Sequence, residues 1–223
     1  MTDAIAILGG TGDQGLGLAL RFARAGRPVW IGSRVPERAR TAAEKVREAT
    51  GSRQVEGLDN AQATARAPLV ILSVPFEHTV ATVKGVRDAL QPGSCVISMG
   101  VPLASAVGDA AVRTVAVWQG SCAELVASLL PEGVQVAGAF QNVSAQRLQA
   151  LDEPVDCDVV VCGAKDVRGR VMELCELVPG LRAVDGGPLA NSRYVEQLTG
   201  LLVGLSIRHK VRAGVGLRFT GLP

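Results

Sequence analysis

A short apolar run, Ala4-Ile5-Ala6-Ile7-Leu8, opens onto Gly9-Gly10-Thr11-Gly12-Asp13-Gln14-Gly15, and apolar residues at helical spacing follow from 16 to 25. No other feature constrains the fold as much. An unbroken apolar run bounded by glycine reads as a strand buried on both faces, as in a parallel sheet. Three glycines at G-x-G-x-x-G spacing, set between a strand and a helix, have separate tasks. Gly10 permits the sharp exit from the strand, Gly12 lets a ligand approach the backbone, and Gly15 lets the helix pack on the strand. The helix start offers free N–H groups and a partial positive charge, which suit a phosphate. A second strand over 28–32 completes a βαβ unit at the expected distance. The pattern predicts a dinucleotide-binding turn, in which Asp13 and Gln14 accompany the glycines.

The end of the second strand selects the dinucleotide. An acidic residue there would bind a free ribose 2′-hydroxyl and repel a 2′-phosphate. This chain reads Ile31-Gly32-Ser33-Arg34, a hydroxyl and a guanidinium with no carboxylate. Both groups hydrogen-bond phosphate oxygens. Arg38, one helical turn on, adds a second cation, and Thr11 adds a hydroxyl from the facing turn. The expectation is NADP rather than NAD.

Strand and helix signals alternate along most of the remaining chain. Helices are expected over 37–49, 78–90, 123–130, 167–177 and 189–210, and strands over 69–74, 95–98, 134–139, 158–162 and 181–184. In the last helix the register Leu198, Leu201, Leu202, Leu205 is expected to bury one face. Such alternation predicts an α/β fold: a doubly wound, Rossmann-type, mostly parallel sheet with a smaller C-terminal α/β part. The seam is expected at 151–156, giving a dinucleotide-binding domain over 1–150 and a smaller domain over 151–223. An apolar content of 48% with 3% aromatics suits an aliphatic parallel sheet. A net charge of +2 without a basic stripe argues against nucleic acid as a partner. No apolar run reaches membrane-spanning length and no signal peptide is read, so a cytoplasmic location is expected. The five cysteines contain no C-x-x-C and read as reduced, buried thiols; a redox pair at Cys157 and Cys162 is the weaker alternative.

Ligands on open α/β sheets bind at the C-terminal ends of the strands. Ser73-Val74-Pro75-Phe76-Glu77-His78 occupies one such end, and His78 is expected against the nicotinamide half of the cofactor. Gly138-Ala139-Phe140-Gln141-Asn142-Val143-Ser144-Ala145 occupies another, with polar residues where a second ligand fits. Gly186-Gly187-Pro188-Leu189-Ala190-Asn191-Ser192-Arg193 opens the last helix and suits an anionic or polar tail. There is no G-x-S-x-G, Walker lysine motif, H-E-x-x-H or clustered metal pattern.

With these motifs together, the chain resembles the NADPH-dependent reductases of coenzyme F420, a deazaflavin, over essentially its full length. The matching segments are Leu8-Gly9-Gly10-Thr11-Gly12, Gly32-Ser33-Arg34, Pro75-Phe76-Glu77-His78, Asp158-Val159-Val160-Val161-Cys162-Gly163 and Gly187-Pro188-Leu189-Ala190-Asn191-Ser192-Arg193. The last is the most specific. The resemblance implies a two-part subunit that forms homodimers, and direct hydride transfer between NADPH and the deazaflavin stacked in one cleft. It implies that Thr11, Ser33, Arg34 and Arg38 bind the 2′-phosphate and that Gly12, Asp13 and Gln14 face the pyrophosphate. Val74, Pro75, His78 and Ala145 would line the cofactor path. Gln141 and Val143 would flank the deazaflavin, Arg193 and Thr199 would meet its tail, and Phe76 and Asn191 belong to the same substrate-binding set. The family commonly has histidine where this chain has Gln141, and glutamine does not titrate near neutrality. No residue is therefore expected as an acid–base or covalent catalyst. Two alternatives stay open on the residues: an NADPH-dependent flavin reductase, and a non-enzymatic NADP(H)-binding sensor.

Overall fold

A computed structural model describes residues 3–222. In chain order the elements are β1 (Ile5–Leu8), α1 (Asp13–Arg24), β2 (Val29–Ser33), α2 (Pro36–Thr50), β3 (Val55–Asp59), α3 (Asn60–Ala65), β4 (Leu69–Leu72), α4 (Phe76–Val86), β5 (Cys95–Ser98), α5 (Cys122–Leu129), β6 (Gln135–Gly138), α6 (Ala145–Gln149), β7 (Cys157–Gly163), α7 (Lys165–Glu176), β8 (Leu181–Asp185) and α8 (Ser192–Arg208). The strands form one sheet in the order β3-β2-β1-β4-β5-β6-β7-β8. All neighbours are parallel except β6 and β7, which meet antiparallel through Ala137↔Gly163 and Gly138↔Cys162. The chain winds outward from β1 in one direction to β3 and in the other from β4. The crevice at the C-terminal ends of β1 and β4 is therefore the switch point where such sheets bind ligands.

Alternation along the buried strands divides the core in two. Ile5, Ile7, Val29, Ile31, Ile71 and Ile97 face the layer that holds Phe22 of α1, Ala43 of α2, Leu148 of α6 and Val171 of α7. Ala6, Leu8, Val70, Leu72 and Val96 face Ala63 of α3, Val83 of α4 and Val126 of α5. The first layer continues through Val155, Val159 and Leu174, so one apolar cluster has members on both sides of residues 151–156.

The C-terminal stretch is strapped to this body. Asp158, fully buried, accepts from Arg182 at 2.6 and 2.9 Å, from Arg218 at 2.7 Å and from the Phe219 N–H at 2.6 Å. Burial alone would raise its carboxyl, but these donors hold it below the usual carboxylate range.

Several expectations are corrected. The elements β3, α3 and α6 were not anticipated. The helix after β4 starts at Phe76 rather than at residue 78. The last helix starts at Ser192, after a 3₁₀ turn over Leu189–Asn191. In α8, Leu202 is buried at 7% exposure while Leu201 is 57% exposed, and Leu198 and Leu205 are only half-buried. The expected leucine register thus lies mainly on the open side. All five cysteines are free and buried, and burial pushes the thiols of Cys95 and Cys122 up to about 11 and about 12. Among the described residues, no helix is long and apolar enough to cross a membrane.

Candidate functional site

The glycine turn leaves β1 with Gly9 at φ +82°, where a side chain would meet the Ser73 carbonyl. Gly10 is buried, and a Cβ there would sit 3.0 Å from Ile31 and from the Ile7 carbonyl, so this glycine serves the turn itself. Gly12 is the N-cap of α1, and no side chain caps the helix. The first N–H groups of α1 are therefore available to a ligand. By contrast, α5 is closed at its N-terminus by Ser121, which accepts from the Glu124 N–H, and by Glu196, which accepts from the Cys122 and Ala123 N–H groups at 2.7 and 3.1 Å.

Three cavities border the glycine turn and form one run. The outer one, about 540 Å³, is lined by Thr11, Ser33, Arg34, Arg38, Asn60, His78 and Thr82, with Gly12, Ser73, Val74 and Pro75. The central one, about 300 Å³, shares those last four and adds Gln14, Phe76, Met99, Gln141 and Thr199. The third, about 280 Å³, shares Gln14, Gln141 and Thr199 and adds Val143, Ala145, Leu202, Gly214 and Val215. The cleft thus runs from two cations at one end to an apolar hollow at the other.

At the cationic end, Arg34 and Arg38 are exposed and form no ion pair among the described residues. The Ser33 hydroxyl accepts from the Val35 N–H at 3.1 Å and keeps its own proton to donate. This donor set fits a dianionic phosphate, and the absence of any carboxylate from the cavity wall removes what would repel one. His78 belongs to this end, with Ser33 and Arg34, and not to the central cavity where its neighbour Phe76 lies. In this cavity His78 stands on the same wall as Val74 and Pro75. Because α4 begins at Phe76, two residues of helix turn the His78 side chain roughly 200° away from that of Phe76.

At the other end, Gln141 is 4% exposed, and neither its Nε2 nor its Oε1 has a hydrogen-bond partner. A buried amide left unpaired on both sides costs several kcal/mol. Gln141 lines both the central and the third cavity, so a ligand with a donor and an acceptor side by side relieves that cost. The turn that carries it is held in place. Phe140 adopts φ 66°, a left-handed conformation, and its fully buried ring meets Phe22 edge-on at 6.2 Å. Such a backbone persists only where the surroundings over-determine it. Thr199 of α8 donates to the Gln141 carbonyl at 3.1 Å, and Asn142 donates to the Asp158 carbonyl at 2.7 Å.

Two expected residues lie elsewhere. Asn191 donates to the Gly186 carbonyl at 2.7 Å. Arg193 is held by the Ala190 carbonyl at 2.8 Å and by Glu124 at 3.3 Å. It faces a separate hollow of about 190 Å³ with Thr114, Val117, Gly120 and Glu196. The buried Glu196 there has its carboxyl pushed up to about 7 by burial, despite the two N–H bonds it accepts. Sequence reasoning missed Asn60, because β3 and α3 are not legible as elements, and Thr82, which lies on α4 one turn beyond His78. It also missed Met99, Gly100, Val101 and Leu103 of the central cavity. These follow β5 directly, and the strand-end rule applied to β5 would have found them.

Residues 4–102 match the family described as NADP oxidoreductase, coenzyme F420-dependent. The chain is 46% identical to the F420-dependent NADP reductase of Methanocaldococcus jannaschii, over 98% of each chain. It is also 46% identical to that of Methanothermobacter thermautotrophicus, over 100% of this chain and 97% of the other. A solved chain from Arthrobacter sp. FB24 superposes with a TM-score of 0.81 at 21% identity, covering 98% of this chain and 99% of that one, which speaks for the fold.

Proposed function

The chain belongs to the family of coenzyme F420-dependent NADP oxidoreductases, and from that premise we propose that it passes a hydride between NADP(H) and the deazaflavin, the two held along one cleft. The single observation that carries this placement is the continuity of the three cavities, with Gly12, Ser73, Val74 and Pro75 common to two and Gln14, Gln141 and Thr199 common to the next pair. The outer cavity takes the adenosine 2′-phosphate on Ser33, Arg34 and Arg38, with Thr11 facing them. The pyrophosphate lies on the α1 N-terminus beside Gly12 and Asp13. The nicotinamide reaches past Val74 and Pro75 into the central cavity. The deazaflavin lies against Gln141, with Phe76, Val143, Ala145 and Thr199 around it.

The bound coenzymes supply the redox chemistry, two electrons and a proton moving together as a hydride. The residues bind, orient and exclude water. The one proton that accompanies the hydride when the deazaflavin is reduced, and leaves in the reverse direction, exchanges with solvent, so no side chain is asked to move it, which agrees with an amide at Gln141. Near-contact of the two rings is the main contribution the protein makes to rate. In this reading residues 1–150 carry the dinucleotide, and residues 151–223 close the second pocket with α8 and the C-terminal strap.

Steady-state turnover with each acceptor tests the assignment. NADPH with F420 is expected to react far faster than NADH with F420, and than NADPH with FMN, FAD or riboflavin. Turnover of a flavin without turnover of F420 would move the chain to the flavin-reductase reading. The subunit also offers a face for a second copy. Tyr194, Leu198, Leu201 and Leu205 share one stripe of α8 by register, with Tyr194 66% and Leu201 57% exposed. A homodimer that covers this stripe is expected, and sedimentation equilibrium giving the mass of one 23.1 kDa subunit would refute it.

A further inference from the structure

Gln14 stands in the first turn of α1, where its main-chain N–H belongs to the phosphate cradle. Its side chain points the other way. Nε2 donates to the Val143 carbonyl at 2.8 Å and to the Phe140 carbonyl at 3.2 Å, so both amide hydrogens are used on the two carbonyls that flank Gln141. Farther along α1 the same face continues the contact. A Cβ on Gly17 would lie 2.6 Å from Leu148, and Arg21 and Arg24 bond to residues 147–153. Gln149 returns a bond to the Asp13 carbonyl at 2.9 Å. One stripe of α1 is thus given to the segment that carries Gln141, and Gln14 is its member at the cleft.

We propose that Gln14 is a positioning residue for hydride transfer: through its side chain it fixes the 140–143 turn, and so the Gln141 amide, relative to the phosphate-binding turn. This rests on the placement of the deazaflavin against Gln141. One residue then touches both halves of the site, the dinucleotide through its backbone and the second pocket through its side chain. Hydride transfer is steep in ring separation, and a displacement of about 1 Å costs on the order of a hundredfold in rate. Asn142 and Thr199 hold the same turn from β7 and α8. Neither side chain hydrogen-bonds to α1, so they position the turn in the sheet without registering it to the phosphates.

The test is Gln14→Met, which keeps length and backbone and removes the donors. The affinity for NADPH is expected to stay within about twofold, since the main-chain N–H remains. The KM for F420 should rise about fivefold and kcat should fall about tenfold or more. The primary deuterium isotope effect, measured with NADPH deuterated at the transferred position, should increase as hydride transfer becomes limiting. A purely structural role would lower the melting temperature without changing that isotope effect. Gln14→Asn, one methylene short, is expected to show the same pattern and serves if the methionine variant does not fold. An active wild type whose Gln14→Met and Gln14→Asn variants keep their F420 kinetics overturns the inference alone. So does a loss of NADPH affinity that accounts for the whole effect. A wild type that does not turn over F420 overturns the placement as well.

Discussion

Replacing Arg21 by methionine is expected to cost about 3–4 kcal/mol of stability, because it removes a buried guanidinium and strands one buried and several partly buried carbonyls at once. Arg21 is 3% exposed and makes no ion pair among the described residues. Its guanidinium donates to the carbonyls of Leu148 at 2.8 Å, Leu151 at 3.3 Å, Arg147 at 2.8 Å, Ala150 at 2.6 Å and Glu153 at 2.9 Å. These carbonyls lie at the end of α6 and in the turn that follows, and of them Ala150 also accepts from the Glu153 N–H at 3.1 Å. Methionine fills much of the volume and donates nothing. Lysine presents three donors from one atom and cannot fan across five acceptors, so Arg21→Lys should fall between wild type and Arg21→Met. Urea unfolding checks both, as a lowered midpoint at unchanged slope. A loss below about 1 kcal/mol for Arg21→Met would mean that water replaces the guanidinium and that the α1–α6 seam is looser than its geometry. NADPH affinity is expected to survive in the folded fraction, since Arg21 lies two turns from the glycine turn.

The parts of this fold that were legible in the sequence are those whose burial is simplest. Residues 4–8, 69–72 and 95–98 are covered on both faces and read as plain apolar runs, as β1, β4 and β5 require. Strand β3 is an edge strand, Val55-Glu56-Gly57-Leu58-Asp59, with Glu56 exposed; a charged residue and a glycine within five positions hide it from a search for apolar runs. Gly57 is there because α2 passes so close that a Cβ would meet the Ala39 backbone. The last helix is legible as a helix, but its buried face is hidden for a different reason. Its inward face carries Ser192, Glu196, Thr199 and Ser206 among Val195 and Leu202, because that face meets the ligand cleft and the N-terminus of α5. Of its leucines, Leu202 faces in, Leu201 is exposed, and Leu198 and Leu205 are half-buried. Hydrophobic periodicity finds the apolar side of a helix, and where the buried side borders a ligand site the two need not coincide.

The last two glycines of the turn, Gly12 and Gly15, should separate ligand binding from folding. In Gly15→Ala the new methyl would lie 2.7 Å from the Gly9 carbonyl oxygen and 2.8 Å from Gly10 Cα. Both are backbone atoms of the turn, so neither can swing aside, and a loss of about 1–3 kcal/mol is expected together with a displaced glycine turn. In Gly12→Ala the nearest heavy atom to the methyl is the Gly9 carbonyl oxygen at 3.5 Å, ordinary contact, and φ at −87° suits alanine. The unfolding free energy of this variant should therefore stay within about 1 kcal/mol of wild type. The methyl nevertheless occupies the wall shared by the outer and central cavities, where the pyrophosphate approaches the α1 N-terminus. NADPH affinity is expected to fall at least about tenfold, or 1.4 kcal/mol. Calorimetric titration with NADPH beside urea unfolding reads both quantities on each variant. If Gly12→Ala binds NADPH as wild type does, the phosphates do not pass over Gly12, and the path of the dinucleotide through the cleft must be redrawn. If Gly15→Ala is as stable as wild type, the turn has slack that its close contacts do not suggest, and Gly15 is dispensable for packing α1 on β1.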